Sequence, residues 1–232
     1  MNHLFLDEQI DIGMNLGEMA MNRSSMYQLL SRVIQFPTFS LSNELLNGEF
    51  YSKIENSVQW INVSRGVFNE ALIQLIVLAE NKKNVSPKEM LEKMKEECTH
   101  LFLNEETSSV SLYETMYLKN TDEQKSFNVD SLDNVYSVEE AFFRTDPVKY
   151  SDHLVNELCF LGYLCNQEGE AWKCGKITDA HQWRNKQWEF TMNHLGKWGE
   201  DFFANLEKST NLEVYKTIAS LGRTFLKLER GY

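Results

Sequence analysis

The feature that most constrains this chain is a stripe of apolar residues that returns every three or four positions. Leu16, Met19, Ala20, Met26, Tyr27, Leu30, Val33 and Ile34 follow that step, with Arg23 the only polar residue in the stripe, and Pro37 ends it. A period near 3.6 puts such residues on one side of an α-helix, and a proline cannot continue one. Phe68, Leu72, Leu75, Ile76 and Ala79 repeat the pattern. Ser86-Pro87 then has the order of an N-cap and first-turn proline, opening a helix to about Phe102. Further on, Leu154, Val155, Leu158, Leu161, Gly162 and Cys165 share a face, and Gly169 and Gly175 bracket a turn. Trp183, Phe190, His194, Leu195, Trp198, Phe202 and Leu206 are spaced for one long helix. Asn211 is placed to cap a last helix whose stripe is Leu212, Tyr215, Ile218, Ala219, Gly222, Phe225 and Leu226.

No stretch alternates apolar and polar residues between turn signals, and only three prolines interrupt the chain. No repeat of solenoid length is present. The expectation is an all-α, single-domain helical bundle over residues 1–232, interrupted by an irregular acidic connection at about 104–136. Order then resumes with Val138 to Phe143, and Asp146-Pro147 marks another helix start.

Charge narrows the partners. With 23 Lys and Arg against 34 Asp and Glu the chain carries −11, a field that repels nucleic acid and anionic membrane surfaces and favours a basic ligand. Most of that charge lies between Asn104 and Glu157. An acidic, irregular stretch beside Tyr113, Tyr117 and Tyr136 suits a basic, partly apolar peptide; a solvated loop is the plainer alternative. The opening residues lack the signal-peptide order, because Asp7, Glu8 and Asp11 fall where its apolar region belongs. No apolar run is long enough to span a bilayer. Cys98, Cys159, Cys165 and Cys174 form neither a Cys-x-x-Cys pair nor a zinc pattern, so reduced, structural thiols in the cytoplasm are expected.

Enzyme signatures fail one at a time. Glu97-Cys98-Thr99-His100 is half of a di-iron Glu-x-x-His pair, and no other histidine completes it. Gly169 to Lys176 has five residues between its glycines instead of four, and Ile177 where a phosphate loop needs Ser or Thr. No nucleophile elbow and no His-Glu-x-x-His motif occurs. No cofactor or resident metal is expected; a helical metal-dependent enzyme using His100, His153 or His194 is the weaker alternative.

Three motifs then carry a resemblance. Tyr150 to Leu161 (Tyr-Ser-Asp-His-Leu-Val-Asn-Glu-Leu-Cys-Phe-Leu) resembles the Asp-His-Leu-x-x-Glu-Leu-x-Phe signature of the TorD/DmsD family of molybdoenzyme chaperones. Leu112 to Tyr117 is similar to its Tyr-Glu-Ser-x-Tyr segment, with Thr115 for the serine, and His194 to Phe202 to its His-Leu-x-x-Trp-x-x-x-Phe helix. The resemblance covers roughly Leu112 to Glu229; Lys149-Tyr150-Ser151 departs from the family's Glu-Pro before the Asp-His pair. It implies an all-helical cytoplasmic chaperone, monomeric or a helix-swapped dimer, and not an enzyme. Its partners would be the twin-arginine leader and apoprotein of a molybdopterin-containing oxidoreductase, held until cofactor insertion and kept back from export. A NarJ-like chaperone for a cytoplasmic or membrane-anchored reductase is the alternative. The residues that the resemblance assigns to peptide binding are Tyr113, Glu114, Thr115, Tyr117, Asp152 and His153. Asp152, Glu114 and Asp146 are candidates to meet guanidinium groups, and Glu157 to fix the loop from within its helix. His153 either hydrogen-bonds the peptide or orients Asp152, or else simply packs at a helix end.

Overall fold

Pro37 does what its ring requires. In the computed structural model, which describes residues 2–60, 65–80, 85–103, 110–118, Leu132, Tyr136 and 151–231, the first helix α1 (Asn2–Ile34) ends three residues before it. Thr38 then caps α2 (Phe39–Asn47) by accepting from the Leu41 N–H at 3.3 Å. Gly48 closes α2 in the left-handed region at φ 80°, and α3 (Glu49–Trp60) starts at once. A short 3-10 turn, Arg65–Phe68, leads into α4 (Asn69–Glu80).

Ser86 and Glu89 form a reciprocal capping box on α5 (Pro87–Cys98), as the Ser-Pro order anticipates. That helix widens into a π turn over Thr99–Leu103, so the expected end near Phe102 holds for the path but not for the hydrogen-bonding pattern. The remaining helices are α6 (Leu154–Lys173), α7 (Ile177–Asn193), α8 (Leu195–Ser209) and α9 (Glu213–Gly231). The described residues hold helices, turns and one isolated β-bridge. The all-α reading is therefore correct.

Three expectations change. Gly169 is not in a turn but inside α6, facing α1, where a Cβ would come within 2.7 Å of Met21 and 3.0 Å of the Gly17 carbonyl. Its lack of a side chain lets α1 and α6 close on each other, and theirs is the most extensive helix contact among the described residues. Second, the long helix expected across Trp183 to Leu206 is two helices broken at His194 (φ −128°, ψ −104°). A Cβ on Gly196 would lie 2.4 Å from the Thr191 carbonyl oxygen, so the sharp junction requires glycine there. Third, Asn211 is not a cap: α9 starts at Glu213, and the Asn211 N–H donates to Glu97 Oε1 at 2.9 Å. The stretches 138–143 and 146–147 lie outside the described residues, as does most of 104–136. What is described of the latter is anchored, since Val110, Leu112, Leu118, Leu132 and Tyr136 are buried.

Arg23, the polar break in the first stripe, points into the interior and is 5% exposed. Its Nε donates to Glu229 Oε1 at 2.8 Å on α9, and its Nη1 to Glu168 Oε2 at 3.1 Å on α6. The Tyr27 hydroxyl donates to Glu229 (3.0 Å), and Gln187 Nε2 on α7 to Glu168 (2.9 Å). One guanidinium thus ties α1, α6 and α9 together, with α7 joined through Glu168. All four cysteines are free thiols, and burial pushes that of Cys165 up to about 12.

Replacing Glu229 with Ala leaves Arg23 and Tyr27 without their main partner and is expected to cost about 3–5 kcal/mol in urea unfolding. Glu200→Ala, which breaks the exposed Arg230–Glu200 pair, should cost under about 1 kcal/mol. Equal losses in the two variants would show that the buried ion pair does not organise the bundle.

Candidate functional site

The residues at issue sit where a short chain segment crosses the start of α6. Segment 110–118 is pinned by the buried side chains of Val110, Leu112 and Leu118. Between them Tyr113 and His153 form the antiparallel bridge: the Glu114 N–H donates to the Asp152 carbonyl (3.0 Å), and the Leu154 N–H to the Leu112 carbonyl (2.8 Å). The second bond satisfies a first-turn N–H of α6 that no helix can satisfy for itself.

His153 is the N-cap of α6. Its Nδ1 accepts from the Val155 N–H at 3.1 Å, and its ring meets Tyr113 edge-on at 5.2 Å. Accepting with Nδ1 requires a neutral imidazole. Burial lowers its pKa from 6.5 to about 4, against an opposing pull from Asp152. The helix-end role is thus occupied, and Nε2 is the ring nitrogen that remains for another partner.

Asp152 lies beside it, 6% exposed, with Oδ2 accepting from the Thr115 hydroxyl at 2.9 Å. Thr115 keeps the hydroxyl that the resemblance asks of that position. Glu114 points inward, fully buried; its Oε2 is 3.1 Å from His194 Nδ1 at the α7–α8 junction. Tyr117 donates to the Ser111 carbonyl (3.0 Å) and lays its ring on Trp198, 5.2 Å between centroids. Tyr113, Thr115 and Tyr117 are half-buried, and Met116 is 71% exposed. Tyr136 lines no groove: its ring is in the core against Phe160 and Phe190, and its hydroxyl donates to the Ser151 carbonyl at 3.1 Å. Asp146 lies outside the described residues.

Two groups that sequence reasoning left out of the site complete it. Trp198 Nε1 donates to Glu157 Oε2 at 3.2 Å, and Glu157 is fully buried. Burial first, then the neighbouring Glu114 carboxyl, pushes Glu157 well above the usual carboxylate range. Glu114 Oε1 and Glu157 Oε1 have no hydrogen-bond partner among the described residues. His194 and Trp198 were visible only as parts of a motif; their partners lie on segments far away in sequence.

The arrangement orients a carboxylate, a hydroxyl and a neutral imidazole by hydrogen bonds to fixed partners. Among the described residues no group of three or more His, Cys, Asp or Glu is placed to hold a metal. His153 and His194 have their Nδ1 atoms engaged as described, and His100 is exposed on the π turn.

The stretch that builds this site is also the stretch that matches known proteins. The family model of the nitrate reductase delta subunit matches residues 67–204, more than half of the chain. The chain belongs to the nitrate reductase delta subunit family. The match runs from the turn before α4 into α8 and so takes in the segment 110–118, the start of α6 and the α7–α8 junction. The chain is 32% identical over 120 residues to the chlorate reductase assembly chaperone protein of Ideonella dechloratans, covering 51% of this chain and 60% of that relative. It is 35% identical over 100 residues to the selenate reductase assembly chaperone protein of Thauera selenatis, covering 43% and 50%. The chain thus spans less than two thirds of the length of either curated relative. No solved structure matches the chain. The TorD/DmsD-like motifs and the delta subunit match converge on one group, the TorD/NarJ-like chaperones of molybdoenzymes. Those relatives are assembly chaperones and not enzymes, in line with a chain read as a binding protein.

Two titrations at this site have opposite signs. His153 has a folded pKa below its unfolded one, so its contribution to stability is complete above about pH 6.5 and is lost as pH falls to about 4. Across that window wild type should lose about 1.4 kcal/mol per pH unit relative to His153→Asn, which keeps a capping side chain. Glu157 has a raised folded pKa, so its contribution is present at low pH and lost as pH rises. Glu157→Gln should therefore gain on wild type as pH rises above the usual carboxylate range. Urea unfolding over a pH series checks both, and profiles parallel to wild type would refute these assignments.

Proposed function

We propose that this chain is a cytoplasmic assembly chaperone that binds the twin-arginine leader and apoprotein of a molybdopterin-containing oxidoreductase. It holds the apoprotein while cofactor is inserted and so delays export. The observation that carries the reading is the meeting of two motifs 37 residues apart: the Thr115 hydroxyl on the Asp152 carboxylate.

That contact is a neutral hydroxyl on an acceptor that a guanidinium would use better. An arginine offers two parallel N–H donors to a carboxylate, and a charge-assisted bond contributes roughly 1.5–3 kcal/mol. Tyr113, Thr115, Met116 and Tyr117 form the outward side of the same segment. The exposed thioether of Met116 is a flexible apolar contact for the residues that accompany the basic pair. The net charge of −11 draws in a basic peptide over longer range. No helix among the described residues is long and apolar enough to cross a membrane.

The match to nitrate reductase delta subunits favours a second reading, in which the client is a cytoplasmic or membrane-anchored reductase without a twin-arginine leader. One calorimetric titration separates the two. The leader of a molybdoenzyme encoded beside this chain is titrated against its twin-lysine form and against the amino-terminal segment of a leaderless reductase subunit. Asp152→Asn should weaken the twin-arginine complex about ten- to hundredfold with helical content unchanged. Binding of the leaderless segment, equally tight in wild type and Asp152→Asn, would replace the first reading with the second.

A further inference from the structure

A second surface, away from the Asp152 region, has the makings of a polypeptide contact. Between α4, α8 and α9 lies an open cavity of about 180 Å³ lined by Glu70, Gln74, Glu207, Glu213, Lys216 and Thr217. That volume is below the roughly 300–1,000 Å³ of small-molecule sites, so it has room for one long side chain and not for a cofactor. Its wall is acidic. Lys216 is engaged with Glu213 at 2.9 Å, Arg223 stands 3.8 Å from Glu207, and Glu70 is exposed on the rim.

The rim continues into an apolar helix face. On α4, Ile73 and Val77 fall one turn apart and flank the positions of Glu70 and Gln74. Ile73 is 57% exposed and Val77 41%, with Val67 of the preceding turn at 45%. Two neighbouring β-branched residues left in water on a helix whose other side is buried form a face that a partner can cover.

We propose that this surface receives a cationic, amphipathic segment of a partner polypeptide. A lysine or arginine enters the acidic cavity, and apolar residues one turn away cover Ile73 and Val77. Charge selects this occupant over the others. A second copy of this chain would bring −11 of its own, and nucleic acid or an anionic membrane would bring phosphates against a surface where three glutamates outnumber Lys216 and Arg223. The contact does not require that the Asp152 region bind a leader. It would give the chaperone a separate hold on the body of a client.

The test uses fluorescence anisotropy with a synthetic helix-forming peptide of leucine and arginine, beside its leucine and glutamine counterpart. The full-length chain is compared as wild type, Glu70→Lys, Ile73→Ser/Val77→Ser and Asp152→Asn. Because the substituted α4 side chains are exposed, both α4 variants should keep the circular dichroism of wild type. The arginine peptide should bind wild type, bind more weakly in high salt, and lose about tenfold with either α4 variant. Asp152→Asn should bind as wild type does. Absence of binding, equal binding of the glutamine peptide, or α4 variants that bind as wild type would each overturn the proposal. So would sedimentation showing that Ile73→Ser/Val77→Ser dissolves a dimer, since the occupant would then be a second copy.

Discussion

Arg23 is a cation carried into the interior of a helical protein, and the rest of the bundle is arranged around keeping it satisfied. A buried guanidinium without carboxylates would cost more than most single contacts can return. Glu229 and Glu168 meet it from α9 and α6, while Gln187 on α7 and Tyr27 complete the acceptors' needs. The close approach at Gly17 and Gly169 leaves α1 little freedom to slide along α6. Fixed donors and acceptors remove that freedom. This ionic group holds Glu168 of α6 opposite Arg23 of α1.

The start of α6 is where that register matters. His153 caps the helix, Asp152 precedes it, and Glu157 lies one turn inside. Segment 112–117 is attached to that start by a two-bond bridge, by Thr115 on Asp152 and by Glu114 reaching His194. Trp198 on α8 holds Glu157 from the other side. Three carboxyl groups are thereby collected, and burial together with the Glu114 and Asp152 carboxyls pushes Glu157 well above the usual carboxylate range. Glu114 and Glu157 are fully buried, and of the three only Asp152, its Oδ2 held by the Thr115 hydroxyl, keeps some exposure.

Much of this was legible in the sequence. The helices over the Leu16 to Ile34, Phe68 to Ala79 and Leu154 to Cys165 stripes follow from local periodicity. So does the Ser86 cap, because a capping box needs only residues three apart. What could not be read were contacts made across the chain. The break at His194 carries no proline to announce it; it exists where Glu114, 80 residues earlier, takes the imidazole and where Gly196 lets the backbone fold against Thr191. Gly169 looked like a turn because glycine usually marks one, yet its use is to admit α1. Tyr136 looked like part of a groove because it lies in a polar stretch, and the core took it instead. Tyr113, Glu114, Thr115, Tyr117, Asp152 and His153 were assigned to peptide binding by resemblance alone, and nothing in their own spacing explains why 113 and 153 should touch.

By itself, then, the sequence determined the helical class and the acidic field. Each of these follows from composition or from residues a few positions apart, where rotation per residue is fixed by the backbone. Only the tertiary structure decided which acids are buried and paired, which histidine nitrogen is engaged, and which apolar residues stay in water. Those outcomes depend on the dielectric and the neighbours at each position, and a chain acquires both only by folding.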